Sequence, residues 1–119
     1  MANDPTIDLA AVERLRSIGG ADLVGKMIDL FLENTPKRIA AALEGEKTGN
    51  WYEVERAAHS LKSSAANLGL TGLQGLAREA EELAGRREAG KIGPLLRGME
   101  SQFPALRALL EEQRKASHA

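Results

Sequence analysis

Ala58-His59-Ser60-Leu61-Lys62-Ser63-Ser64-Ala65-Ala66-Asn67-Leu68-Gly69 is the stretch around which the chain is organised. Within residues 51 to 68, Val54, Ala58, Leu61, Ala65 and Leu68 step by four, three, four and three. That repeat lines small and aliphatic side chains along one stripe of an amphipathic helix, and the stripe must face a core. At about 100° per residue, His59 falls roughly 130–140° from the centre of the stripe, on the polar side. An exposed histidine is therefore expected, with Glu55 one turn before it, Lys62 and Ser63 one turn after it and Ala66 two turns after it.

These neighbours suit a particular chemistry. An imidazole titrates near neutrality and offers a free lone pair on one ring nitrogen, so it can act as a nucleophile. A phosphoryl group placed on it carries about two negative charges. Lys62 is positioned to neutralise part of that charge, an attraction on the order of 1–3 kcal/mol at surface-like dielectrics. Glu55 is placed to hold the other ring nitrogen. The small residues Ser63 and Ala66 leave room around the histidine for a docking protein, while Ser64 points toward the flank of the buried stripe and reads as structural.

His59, Leu61, Lys62, Ser64, Leu68 and Gly69 match the pattern His-x-Leu-Lys-Gly-(Ser/Ala)-(Ser/Ala)-x-x-Leu-Gly. In this the chain resembles histidine-containing phosphotransfer (HPt) domains, the phosphoryl carriers of bacterial multistep phosphorelays. Ile7-Asp8-Leu9, Gly19-Gly20, Leu30-Phe31-Leu32 followed by Pro36, and Asn50-Trp51 also look like this family in the expected order, so the resemblance spans nearly the whole chain. The pattern departs at Ser63, where glycine is usual. Serine is still small, and its hydroxyl can bond back to the His59 carbonyl; the departure bears on partner fit and transfer rate more than on competence.

The resemblance implies a phosphoryl carrier. The receiver domain of a hybrid sensor histidine kinase would pass a phosphoryl group from its aspartate to His59, and a response regulator receiver domain would take it on, both steps being reversible. Magnesium and the catalytic machinery would belong to the receiver. This chain would bind no cofactor and would be a transfer intermediate without turnover of its own. The alternative, from a different class, is a four-helix adaptor that binds receiver domains without being phosphorylated. Retention of His59 and Lys62 argues against it, and Ser63 is its only support. A histidine kinase dimerisation domain is a weaker alternative still, because the dimer and the attached ATPase domain it needs are not visible in the sequence.

Composition agrees with a small protein-binding domain. The 119 residues, 43% of them hydrophobic, suffice for one core and one domain, 1–119. Sixteen basic residues against 17 acidic ones give no electrostatic reason to expect nucleic acid or an anionic membrane as partner. Without cysteine there are no disulfides or thiolate metal sites. The polar N-terminus is not followed by the apolar run of a signal peptide or membrane span, so a cytoplasmic monomer is expected. Aromatics make up only 3% of the chain, so the core must be aliphatic, and no period-two alternation marks a strand.

Read in order, Asp8 caps a short helix carrying Leu9, Val12 and Leu15, which Gly19-Gly20 ends and Ile18 follows into the core. A second helix is predicted from about Ala21 to Leu43, with Pro36 kinking it. Gly45 to Asn50 forms a polar connector before the histidine helix, and Gly69 suits the C′ position of that helix. Thr71-Gly72-Leu73-Gln74 reads as a capping box opening the next helix. Gly90 and Pro94 bracket the start of a last helix with Leu95, Met99, Phe103, Leu106 and Leu110 facing in, and Pro104 predicts a kink or break there. Residues 1–6 and 115–119 are expected to fray. The sum is an all-α fold, an antiparallel up-down-up-down four-helix bundle with a short N-terminal cap helix.

Three other readings fail on chemistry. Gly20-Ala21-Asp22-Leu23-Val24-Gly25-Lys26-Met27 nearly spells a phosphate-binding loop, but it ends in Met27 where a hydroxyl should hold magnesium, and no strand leads into it. His118, the only other histidine, lies in the tail, so the two histidines make no metal site. A Ser-His-Asp hydrolase lacks any source of a strained nucleophile turn or an oxyanion hole.

Overall fold

The computed structural model describes residues 6–118. They form α1 (Leu9–Thr48), α2 (Trp51–Asn67), α3 (Thr71–Gly85), a 3-10 turn (Ala89–Lys91) and α4 (Ile92–His118), with no strand among the described residues. A straight 40-residue helix would measure about 60 Å, longer than the 46 Å of the whole molecule. α1 therefore has to turn, and it does so at Gly20, whose φ of 69° and ψ of −164° leave the helical region for one open to glycine alone. This divides α1 into a short arm, 9–19, and a long arm, 21–48.

The short arm is the expected cap. Asp8 opens it by accepting from the Ala10 amide at 3.0 Å. Its own amide donates to the Gly69 carbonyl at 2.7 Å, and Arg16 donates to the Ser117 hydroxyl at 2.8 Å, so the arm lies across the bundle end formed by the α2–α3 turn and the tip of α4. Ala11 and Val12 are buried beneath it. Ile18 does not enter the core: it is 71% exposed, left on the outer side of the turn at Gly20, and Leu9 is half exposed.

The long arm of α1 packs against α2 and α4, and α3 packs against both as well, giving the up-down-up-down bundle. Its core is aliphatic, with Val24, Ile28 and Ile39 from α1, Val54, Leu61 and Ala65 from α2, Leu73, Ala77 and Ala80 from α3, and Leu96, Met99, Leu106 and Leu110 from α4. Alanines on α2 and α3 let those two helices approach closely, which is how a side chain on α3 comes within reach of His59. Leu61 is wholly buried, and full burial of such a side chain stabilises by about 1.5–3 kcal/mol.

Several predicted boundaries move. Neither proline interrupts its helix: within α1 only Gly20 leaves helical dihedrals, and α4 continues through Pro104. Both prolines are exposed, so the carbonyl each leaves without a donor is on the side of the helix that water can reach. α1 runs past Leu43 to Thr48 because Gly45 is a packing residue. It is buried, and a Cβ there would meet Asn50 O and Val54 Cγ2, each at 3.0 Å. The connector shrinks to Gly49 and Asn50.

At the other end of α2, Gly69 has a φ of 72° and follows the C-cap Leu68. The Leu70 amide reaches back to the Ala65 carbonyl at 2.8 Å and the Gly69 amide to Ala66 at 3.1 Å, the pair of bonds that closes a helix with a left-handed residue. The capping box at Thr71 does not form: Leu70 occupies the N-cap without a side-chain bond. Instead Thr6 Oγ1 accepts from the Gly72 amide at 3.1 Å and pairs with Thr71 Oγ1 at 2.9 Å, so the N-terminal segment supplies the cap. α4 stays helical to His118, beyond the expected limit at residue 115. Residues 1–5 and 119, also expected to fray, lie outside the described residues. No helix of the described residues is long and apolar enough to cross a membrane.

Candidate functional site

α2 starts at Asn50, whose side chain accepts from the Glu53 amide at 3.3 Å. Burial of Val54, Ala58, Leu61 and Ala65 then fixes the rotation of the helix and turns His59 outward, with its side chain 62% exposed. The sequence reading of this rotation holds.

The partner of the imidazole comes from the neighbouring helix. His59 Nδ1 lies 2.7 Å from Glu81 Oε2, and Lys62 Nζ lies 2.6 Å from Glu81 Oε1. One carboxylate on α3 thus joins the two residues that the sequence had placed one turn apart on α2. Burial of Glu81 disfavours its charged form, but hydrogen bonds from Lys62 and His59, together with the Lys62 charge, outweigh that and hold the carboxyl below its ordinary value. Glu81 is therefore ionised near neutrality. An ionised carboxylate can only accept, so Nδ1 carries the proton and the lone pair resides on Nε2. The arrangement presents an oriented nitrogen nucleophile on an open face, with a cation held beside it.

Glu55, expected to hold the second ring nitrogen, does not: Glu81 occupies that position. Glu55 instead lines an open depression of about 300 Å³ with Tyr52, Arg56, His59, Ser60 and Glu81. Within it Arg56 lies 5.8 Å from the centroid of the Tyr52 ring and pairs with Glu53 at 3.0 Å. A large aromatic, 67% exposed, and a second cation therefore flank the histidine. Ser63 and Ala66 are exposed on the same side of α2 as His59, and among the described residues the Ser63 hydroxyl makes no bond to the His59 carbonyl. Ser64 is half-buried and accepts from Arg38 at 3.2 Å, tying α2 to α1. No group of three or more His, Cys, Asp or Glu side chains among the described residues is arranged to hold a metal ion.

Sequence reasoning missed Glu81 and Arg56. Glu81 sits between Ala80 and Ala84 in the buried stripe of α3, so a signal existed: a carboxylate at the edge of a small-residue face that must pack closely on another helix. Arg56 is one turn before His59 on the same helix and was visible in the spacing.

The Hpt domain family model matches residues 26–116 of the chain. Among solved structures, histidine-containing phosphotransfer protein B (HptB) from Pseudomonas aeruginosa PAO1 is similar in fold, with a TM-score of 0.86 and 25% sequence identity over 94% of this chain and 96% of that one. No curated protein matches by sequence. The family match extends over most of the chain and includes the exposed histidine and its lysine, so this protein belongs to the Hpt domain family, whose members serve as phosphotransfer intermediates of phosphorelays and are not catalytic enzymes.

Proposed function

We propose that Nε2 of His59 accepts a phosphoryl group from the aspartate of a receiver domain, that of a hybrid sensor histidine kinase, and passes it to the receiver of a response regulator. The observation that carries this reading is the single Glu81 carboxylate that accepts from Nδ1–H, keeps the ring proton on that nitrogen and so leaves the lone pair of Nε2 free on an exposed face.

In the accepting step the Nε2 lone pair forms a bond to phosphorus while the phosphorus–oxygen bond to the aspartate breaks, and the electron pair of that bond stays on the aspartate carboxylate. The ring keeps its Nδ1 proton and becomes cationic, and Glu81 faces that charge directly. The reverse sequence with a second receiver returns the ring to neutrality. In this reading magnesium and in-line positioning come from the receiver, and the present chain supplies nucleophile, cation and docking face. Ser63 and Ala66 on one side of His59, and Tyr52 and Arg56 on the other, form the surface a receiver would cover.

The test is transfer from a panel of phosphorylated receiver domains. At least one should lose its phosphoryl group to the wild-type protein and none to His59→Gln. Receivers that bind the protein without giving up the group would favour the adaptor alternative.

A further inference from the structure

Glu81 uses its two oxygens on two different groups, Oε2 on His59 Nδ1 and Oε1 on Lys62 Nζ. In the resting protein the lysine that should meet the phosphoryl group is therefore already engaged. Its side chain is only 29% exposed and that of Glu81 20%, so the contact is partly shielded from water. We propose that Glu81 is a positioning residue that holds Lys62 while His59 is unmodified and releases it to the phosphoryl group once Nε2 is phosphorylated. This rests on the phosphoryl-carrier reading above.

The argument is one of charge. Before transfer the three groups are a carboxylate, an ammonium and a neutral ring. With phosphoramidate as donor, the Nε2 lone pair bonds to phosphorus, the phosphorus–nitrogen bond of the donor breaks, and its electron pair leaves with ammonia. The ring, still protonated on Nδ1, is now cationic, and a group with about two negative charges stands on its other side. Glu81 no longer needs Lys62, because the ring in contact with it has become the cation. Lys62, whose ammonium has three donors and a flexible stem, faces a dianion that attracts it more strongly than a carboxylate already matched. Each anion then has one cation.

The proposal separates cleanly from its alternative, in which Lys62 stays on Glu81 and acts only through it. Wild type, Glu81→Gln, Lys62→Ala and the double variant would be labelled with phosphoramidate, checked by intact mass, and followed for phosphohistidine decay, with the Lys62 side-chain resonances recorded before and after labelling. Glutamine still accepts from Nδ1–H but has no charge with which to hold the lysine. In unmodified protein Glu81→Gln should shift the Lys62 signals, and in phosphorylated protein it should leave them where the wild type has them. Lys62→Ala should change the phosphohistidine half-life about three- to tenfold, by the same factor in the wild-type and the Glu81→Gln backgrounds. A lysine effect that vanishes in the Glu81→Gln background, or Lys62 signals that do not move when the wild type is labelled, would overturn the hand-off while leaving the carrier reading intact. Failure of the wild type to take up any phosphoryl group would overturn both.

Discussion

His59 Nδ1 on α2 and Glu81 Oε2 on α3 lie 2.7 Å apart, so the imidazole is oriented by the adjacent helix and not by its own. Because the same carboxylate also binds Lys62, the α2–α3 interface is at once packing surface and chemical site.

This contact makes stability depend on pH in a definite direction. The Glu81 carboxyl is held below its ordinary value of 4.5 in the folded chain, by Lys62 and His59 against the opposing effect of burial. A group whose folded value is depressed contributes stability that is fully present above its unfolded value and is lost as pH falls through the folded one. Urea unfolding of wild type and Glu81→Gln, compared from neutrality to about pH 3, should show a stability difference that shrinks toward the acid end. A difference constant over that range would contradict the assignment.

Gly69 should not accept a side chain. Its φ of 72° disfavours L-residues, and a Cβ would overlap the Asp8 carbonyl oxygen and press on the Ala11 Cβ at 3.0 Å. Gly69→Ala is expected to cost about 1–3 kcal/mol in urea unfolding. It should also speed hydrogen exchange at the Asp8 amide, which is bonded to the Gly69 carbonyl at 2.7 Å.

Thr35 is fully buried on the inner face of α1, and its hydroxyl has no hydrogen-bond partner among the described residues. An unsatisfied buried hydroxyl costs free energy that an isosteric methyl does not. Thr35→Val should stabilise the protein by about 1 kcal/mol, read as a higher urea midpoint at unchanged slope. A loss of stability would mean that the hydroxyl is serving a group it does not bond in this structure.

The bundle was legible because its signals are local and repeated. The apolar steps of α2, α3 and α4, the Asp8 cap and the left-handed Gly69 each follow from a few neighbouring residues. So was the outward turn of His59, because burial of Val54, Ala58, Leu61 and Ala65 leaves one rotation of the helix. The misreadings came where one residue type serves two purposes. Gly45 reads as a breaker although it makes room for Val54, and Pro36 and Pro104 read as interruptions although both helices continue through them. Thr71 reads as a cap because nothing local in the sequence places Thr6, far away in the chain, against Gly72. Glu81 was hidden for the same reason: nothing within α2 shows which residue of α3 its histidine will meet.

The central claim is that His59 is the phosphorylated residue, and intact mass after treatment with phosphoramidate tests it most directly. His59 is exposed, so His59→Gln should leave the bundle folded. The account predicts that the wild type gains the mass of one phosphoryl group, that acid removes it, and that His59→Gln gains none. No mass gain in the wild type, or an acid-labile gain that persists in His59→Gln, would contradict it.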